Sequence, residues 1–319
     1  MSRYYDRMHD NWRTLAYRKA IATLRRQNVK VVTKEQAKAL PNIGSRIAEK
    51  IEEIALTSRL QRLNNALQDP RDQVLQLFTG IYGVGLKQAS LWVEAGHRTL
   101  EDLKNSPVIK LTANQTIGIE HYDDLAQRIP RDEVAEHGEV VRNALQKIDP
   151  SFQAIIGGSY RRGAANSGDI DMIITKSDSS AHSIRTVVLD VLVPTLMKKG
   201  FLKFALAASK SGEQGDKWHG LSCLLGSTVW RRIDLLIVPS EEIGAALLYF
   251  TGNDIFNRSI RLLASKKGLR LNQRGLYKNV IRGVNRAKLT DGELVEGKDE
   301  KEIFRILGVP WRAPEDRNC

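Results

Sequence analysis

The sequence predicts an α+β protein made of more than one domain, and three observations lead there. Its 319 residues exceed one average domain. The first part of the chain, residues 9–80, carries apolar residues at helical spacing. Short β-prone apolar runs follow later, around Ile155, across Ile170–Ile174 and across Ile233–Val238. With 42% hydrophobic residues the chain can bury a substantial core.

Charge narrows the partners. A formal charge of +12 and a pI near 9.7 favour a polyanion, either nucleic acid or an anionic membrane surface. The membrane is the weaker choice, because no apolar run approaches the roughly 18 residues a spanning helix needs. The N-terminus, Met1-Ser-Arg-Tyr-Tyr-Asp-Arg, has no signal-peptide core. Cys223 and Cys319 are too few for a disulfide framework or a zinc ribbon, which predicts a reduced, intracellular protein.

In chain order, Trp12, Leu15, Ala16, Ala20, Ile21 and Leu24 recur at helical spacing, with Arg and Lys between them. A second helix is expected to start at Thr33, where Thr33-Lys-Glu-Gln36 has the capping-box pattern. Leu40-Pro-Asn-Ile-Gly-Ser-Arg46 then reads as a tight helix–hairpin–helix turn with backbone N–H groups free at the next helix start. A related pattern returns at Thr79-Gly-Ile-Tyr-Gly-Val-Gly85. One such hairpin is as readily an ordinary αα turn. Two in a basic chain point to contact with DNA phosphates, which position a protein without reading sequence. Residues 101–150 read as helical connectors.

The densest chemistry lies in Ile155-Ile-Gly-Gly-Ser-Tyr-Arg-Arg-Gly163 and Ser167-Gly-Asp-Ile-Asp-Met172. Glycines let the backbone approach a ligand, and free N–H groups at a turn suit phosphate oxygens. Arg161 and Arg162 add positive charge there. On a strand, Asp169 and Asp171 share a face, about 6.5–7 Å apart at Cα. A lone Asp-x-Asp is usually a solvated strand face. Here a third acid, Asp234 in Arg231-Arg-Ile-Asp-Leu-Leu-Ile237, stands in another strand-like run. If the strands pair, three carboxylates can hold two divalent cations, Mg²⁺ or alternatively Mn²⁺, about 3.5–4 Å apart.

This constellation resembles the nucleotidyltransferase superfamily and, within it, the family X DNA polymerases of the lambda and beta type; the likeness runs from about Trp12 to the C-terminus. It implies four parts: a helical lyase domain with a helix–hairpin–helix (1–65), a fingers domain with the second hairpin (66–126), a nucleotidyltransferase palm with a mixed β-sheet (127–238) and an α/β thumb (239–319). It implies that Asp169, Asp171 and Asp234 bind metal and catalyse, while Arg128, Ser159, Arg162, Ser167 and Gly168 hold the triphosphate. Arg232 would orient the third acid. Leu247-Leu-Tyr-Phe-Thr-Gly-Asn-Asp-Ile-Phe-Asn-Arg-Ser-Ile-Arg261 resembles the thumb helix that checks the nascent base pair. There Tyr249 and Phe250 would crowd a 2′-hydroxyl, and Gly252, Asp254 and Asn257 would face the incoming nucleotide. Arg258 and Arg261 would touch the template side. Taken alone, the aromatic pair reads as packing at a helix start.

On the N-terminal side the resemblance makes Lys50, in Ile47-Ala-Glu-Lys50, the Schiff-base lysine of a 5′-deoxyribose phosphate lyase. Spacing alone reads it as a solvated lysine. Arg13, Arg46, Gly44, Gly83 and Gly85 would contact DNA, and Trp12 would either stack on a template base or fill core. Asn42 stands where the family hairpin usually has glycine; Asn also tolerates the left-handed conformation. Leu236 and Gln273 lack the charges that in polymerase beta pair on thumb closure, so that switch is not expected here.

The segment Lys210–Lys217 and the hairpin from Leu221 to Trp230 look too short to replace a template. The implied function is template-dependent, gap-filling synthesis in base excision repair and end joining, on gapped, nicked or broken DNA with dNTPs, in the nucleus. A template-independent nucleotidyltransferase and a non-catalytic DNA end-bridging protein are the rival readings. No membrane partner is expected, and no repair protein is named by the residues.

Overall fold

The computed structural model describes residues 1–8, 10–208, 217–281, 283 and 289–318. Most of the polar stretch Lys210–Lys217 therefore lies outside the described residues. The chain forms two compact units, Met1–Tyr122 and Asp123–Cys319.

The first unit is helical. Helix α1 (Asn11–Leu24) is capped by Asp10, whose carboxylate accepts from the Arg13 amide. The short α2 (Lys34–Lys38) starts in the full capping box expected at Thr33 and Gln36. It turns through Asn42, at φ 62°, into α3 (Ser45–Thr57). The α1 periodicity holds for Ala20 and Leu24, which pack inward, but misplaces Trp12, 83% exposed, and Leu15 and Ile21, which also face solvent. The side that packs is Thr14, Ala20 and Thr23, small residues that let the helices come close. Ala20, Ala37, Ile43 and Ala48 form that core.

The second hairpin repeats the first. Helix α4 (Pro70–Thr79) and α5 (Leu86–Glu94) are joined through Gly83, at φ 79°. Gly44 and Gly85 occupy equivalent places as the caps of α3 and α5, both with extended backbone. A Cβ at either glycine would meet nothing within 4 Å. Both caps thus leave their helix-start amides open to a ligand. Phe78, Ile81, Val84 and Trp92 fill the core beneath, with Phe78 and Trp92 edge to face at 5.8 Å.

The second unit is built on a five-stranded sheet. After the long helix α6 (Arg131–Ile148) come β1 (Phe152–Ile156), a short turn of helix α7 (Gly158–Arg161) and β2 (Ile170–Lys176). Strands β3 (Leu202–Ala208), β4 (Lys217–Ser222) and β5 (Arg231–Ile237) complete it. The spatial order is β1-β2-β5-β4-β3, with β2 and β5 parallel and the other neighbours antiparallel.

Alternation along β2 divides its residues between two faces. Ile170, Met172 and Ile174 pack into the main core with Val141 and Leu145 of α6 and with Ile184, Val188 and Leu192 from the helical run that follows β2. Each such fully buried side chain contributes roughly 1.5–3 kcal/mol through burial. Asp171 and Ile173 face the other way. On that second face, Ile173, Leu236 and Val238 pack against Ala246 of α8 (Ile243–Thr251). The part of the face left uncovered carries the acids.

Helix α9 (Asp254–Lys266) and α10 (Glu300–Ile306) pack with α8 around Phe256, Ile260, Leu276 and Phe304, beside a three-stranded sheet of Arg270–Leu271, Leu276–Lys278 and Glu293–Glu296. The expected α+β class with a mixed sheet is what the chain adopts. No helix among the described residues is long and apolar enough to cross a membrane.

Candidate metal centre and phosphate-binding turn

Parallel pairing of β2 with β5 sets Asp171 directly opposite Asp234. Asp169 lies just before β2, and the three acids each offer a ligand oxygen within 4.8 Å of the others. This separation suits a shared cation and is costly without one. Burial, with the facing charge of Asp234 as the second cause, pushes the Asp171 carboxyl up to about 7; Arg162 opposes the shift. Oδ1 of Asp234 is buried without an aligned hydrogen bond. His219 Nδ1, on β4, approaches it to 2.6 Å. Crowded carboxylates with an underused oxygen fit a hard divalent cation.

Arg232 was expected to orient Asp234. It pairs instead with Asp169 Oδ2. The reason is strand alternation: Arg232 and Asp234 share a face two residues apart, and the guanidinium reaches across to the acid on the neighbouring chain segment.

The glycine turn wraps this centre. The Gly157 amide donates to the Asp171 carbonyl at 2.8 Å. Gly158 holds φ 55°, and a Cβ there would run into Asp171 Oδ2, so only glycine lets the turn close over the acid. Ser159 Oγ donates to Ser167 Oγ at 2.8 Å. Arg128 reaches the same strip, donating from Nε to Asn166 Oδ1 at 2.8 Å and from Nη2 to the Asn166 carbonyl at 2.9 Å. A Cβ on Gly168 would come within 2.9 Å of Arg128 Nη1.

Arg162 connects the turn to α8. Its Nη1 donates to the Thr251 carbonyl and its Nε to Asn318 Oδ1 at 2.9 Å. Gly252, at φ 69°, stands 3.4 Å from Nη1 by the position its Cβ would take. Asn257 Nδ2 donates to the Tyr249 carbonyl at 2.7 Å, and Arg261 lies over the Tyr249 ring at 4.6 Å. Tyr249 and Phe250 meet edge to face at 4.9 Å. They occupy the last turn of α8 rather than a helix start, because the helix begins upstream at Ile243. Both line a cleft of about 610 Å³ together with Lys217, Leu236, Arg261 and Gln273. Asp254 and Arg258 pair with each other on the exposed side of α9, away from that lining.

The predicted residues of the first unit sit apart in sequence and are described there. Lys50 Nζ donates to the Arg46 carbonyl at 2.9 Å on α3. Arg13 pairs with Asp10 at 2.6 Å and lies over the Tyr5 ring, leaving the Trp12 indole in solvent.

Sequence reasoning missed a buried cluster. Glu300 is held between Arg161 (2.8 Å) and Arg317 (2.6 Å), and Arg161 also donates to Thr251 Oγ1 at 2.6 Å. Arg317 is fully buried, with Phe256, Phe304 and Trp311 around its guanidinium. The first arginine of the motif is thus structural, while the second is held by Thr251 and Asn318. His219 was also passed over, although Lys217-Trp-His-Gly-Leu221 alternates and sets His219 on the face of the acids.

A mixed sheet bearing an acid triad beside a glycine turn is the palm of a nucleotidyltransferase fold. Family models agree along the chain: DNA polymerase beta palm over residues 128–240, DNA polymerase beta thumb over 246–318, the fingers domain of DNA polymerase lambda over 76–126, and a helix-hairpin-helix domain over 1–60. The chain belongs to the family X DNA polymerases. It is 37% identical over 319 residues to DNA polymerase lambda of Rattus norvegicus, covering 100% of this chain and 54% of that one. DNA polymerase lambda of Arabidopsis thaliana is 34% identical over 319 residues, 98% of this chain and 59% of that one. DNA-directed DNA/RNA polymerase mu of Homo sapiens is 28% identical over 337 residues, 96% and 65% respectively. The chain thus spans little more than half the length of the two lambda polymerases.

Proposed function

We propose that this chain is a template-dependent DNA polymerase that fills short gaps during base excision repair and end joining. The observation that carries this reading is the facing of Asp171 and Asp234 across β2 and β5, with Asp169 beside them and the glycine turn closing over them. In this reading Asp169, Asp171 and Asp234 hold two Mg²⁺ ions, with Mn²⁺ as a substitute. Bound there, the ions neutralise charge on the attacking and departing oxygens of an in-line displacement.

The remaining work belongs to the chain. Ser159, Ser167, Gly168, Arg128 and Arg162 bind the triphosphate of a dNTP, and Arg162 exchanges the Thr251 carbonyl and Asn318 for phosphate oxygens. Tyr249, Phe250 and Gly252 form the floor under the sugar and exclude a 2′-hydroxyl. Asn257 faces the base. Arg258 and Arg261 meet the template, and Asp254 restrains Arg258. Catalysis is then positioning and charge neutralisation in a preorganised site.

The four-part division proposed is lyase 1–65, fingers 66–126, palm 127–238 and thumb 239–319. Gly44, Gly83 and Gly85 bring helix-start amides to the phosphates of gapped, nicked or broken DNA, with Arg13, Arg46 and Trp12 adding charge and stacking surface. Lys50 attacks the aldehyde of a 5′-deoxyribose phosphate. Because phosphates dominate this interface, binding weakens with salt. The expected location is the nucleus. Template dependence is favoured by the tight link from Ser222 to Arg231, which turns at Gly226.

Primer extension on one-nucleotide-gapped DNA, with and without the template strand, tests this. Templated addition by wild type and its loss in Asp234→Ala, with gapped-DNA affinity retained, are expected. Equal extension without a template would replace the reading with a template-free transferase. Undiminished binding with no addition by wild type would leave a DNA-bridging protein.

A further inference from the structure

We propose that His219 is a positioning residue for the third acid of the metal centre, holding one oxygen of Asp234 so that the other faces Asp169 and Asp171. The inference rests on the reading that these carboxylates bind divalent cations.

Register carries it. Across the adjacent strands β2, β5 and β4, Asp171, Asp234 and His219 stand directly opposite one another in a single row. Residues paired this way share a face of the sheet, with Cβ atoms about 4.5–5.5 Å apart. His219 lies on the far side of Asp234 from Asp171, so it backs the acid. Consistent with that, the converging ligand oxygens come from the three acids and not from the imidazole.

The contact is close and sheltered. Nδ1 lies 2.6 Å from Asp234 Oδ1, and the two side chains are only 16% and 14% exposed. That oxygen is buried and makes no aligned hydrogen bond. A buried acceptor left unmet is costly, and the imidazole is the donor placed to meet it. Nδ1 carries a hydrogen in one neutral tautomer and in the cation, and the carboxylate selects that tautomer. Asp169 has its own neighbour in Arg232, and Asp171 takes the Gly157 amide at its carbonyl. Arg232 thus meets the Asp169 carboxylate, the turn meets Asp171 through its backbone, and His219 is the group placed at the Asp234 carboxylate. Outer partners that orient metal-binding side chains are worth roughly 10–100-fold in metal affinity or activity.

Wild type, His219→Leu, His219→Asn and Asp234→Ala are compared as full chains on gapped DNA with a dideoxy-terminated primer and dNTP. Mn²⁺ binding is followed by electron paramagnetic resonance, and kcat and the dNTP KM are measured on an extendable primer. His219→Leu keeps volume and removes the donor. It is expected to weaken Mn²⁺ binding roughly 10–100-fold and to lower kcat with little change in dNTP KM. His219→Asn, whose Nδ2 falls where Nδ1 was, is expected to recover most of both. Wild-type Mn²⁺ affinity in His219→Leu, or an Asn variant as poor as the Leu variant, overturns the role of His219. If Asp234→Ala loses Mn²⁺ while His219→Leu does not, only the positioning role falls. If wild type binds no Mn²⁺, the metal reading falls and takes this inference with it.

Discussion

His137 sits neutral inside the second unit, so mild acid should remove its contribution to that unit's stability. The residue lies on α6, buried, with Nδ1 3.0 Å from Ser222 Oγ and its ring 5.4 Å from Phe201. Burial is the main cause that lowers its pKa from 6.5 to about 4; Glu133 pulls the other way and Arg231 adds to the lowering. The sign follows from proton uptake. Between those two values the unfolded chain binds the proton and the folded chain does not, so the contribution of His137 is complete above pH 6.5 and drains away as pH falls toward 4. The loss amounts to about 2 kcal/mol at pH 5 and about 3 kcal/mol once both states are protonated. Hydrogen exchange of peptides spanning β2 and β5, corrected for the intrinsic rate at each pH, reads this directly. Asp171, raised to about 7, takes up a proton in the folded state over the same range and acts in the opposite sense in both chains, so the readout is the difference: between pH 7.5 and 5 wild type is expected to lose roughly 30-fold in protection relative to His137→Gln. The same change with pH in both chains would refute the assignment and move the acid sensitivity to other groups.

Three further outcomes follow from the same geometry. Gly158→Ala puts a Cβ into Asp171 Oδ2 at a positive φ; it should lower gap-filling turnover by about 100-fold, as an ångström-scale misplacement does, with the melting temperature reporting only a small loss. Glu300→Gln leaves the buried Arg317 and Arg161 without their counter-charge, and a cost of about 3 kcal/mol should appear in thermal melts as a fall of about 6–12 °C in the second unit. Lys50→Ala should prevent borohydride trapping on DNA carrying a 5′-deoxyribose phosphate while gap filling continues; undiminished trapping would place the imine on another lysine.

Local rules made much of this legible in the sequence. The Thr33 capping box, the left-handed Asn42 and the repeated hairpin glycines obey constraints that span four or five residues, and each appears where it was expected. The three acids were legible because a strand sets the spacing of Asp169 and Asp171 and β-prone flanks surround Asp234. What failed needed information from distant segments. The α1 periodicity placed Ala20 and Leu24 correctly, but it also favoured Trp12, Leu15 and Ile21, which face solvent, and missed Thr14 and Thr23, which are buried. Arg232 was given to Asp234 by proximity in sequence; the sheet gave it to Asp169. His219 depends on the register of β4 against β5, and Arg161 meets Glu300 across 139 residues of chain, which no local window contains.

Parallel pairing of two strands whose acids are 63 residues apart has a bearing on quality control. Sliding β5 by one position would turn Leu235 toward Asp171 and drive Asp234 into the apolar layer beneath. No half-working intermediate exists between correct and incorrect alignment. On the proposed reading, a nascent chain that has threaded this sheet wrongly cannot add nucleotides, and divalent cations that grip only the aligned acids would favour the chain that threaded it properly.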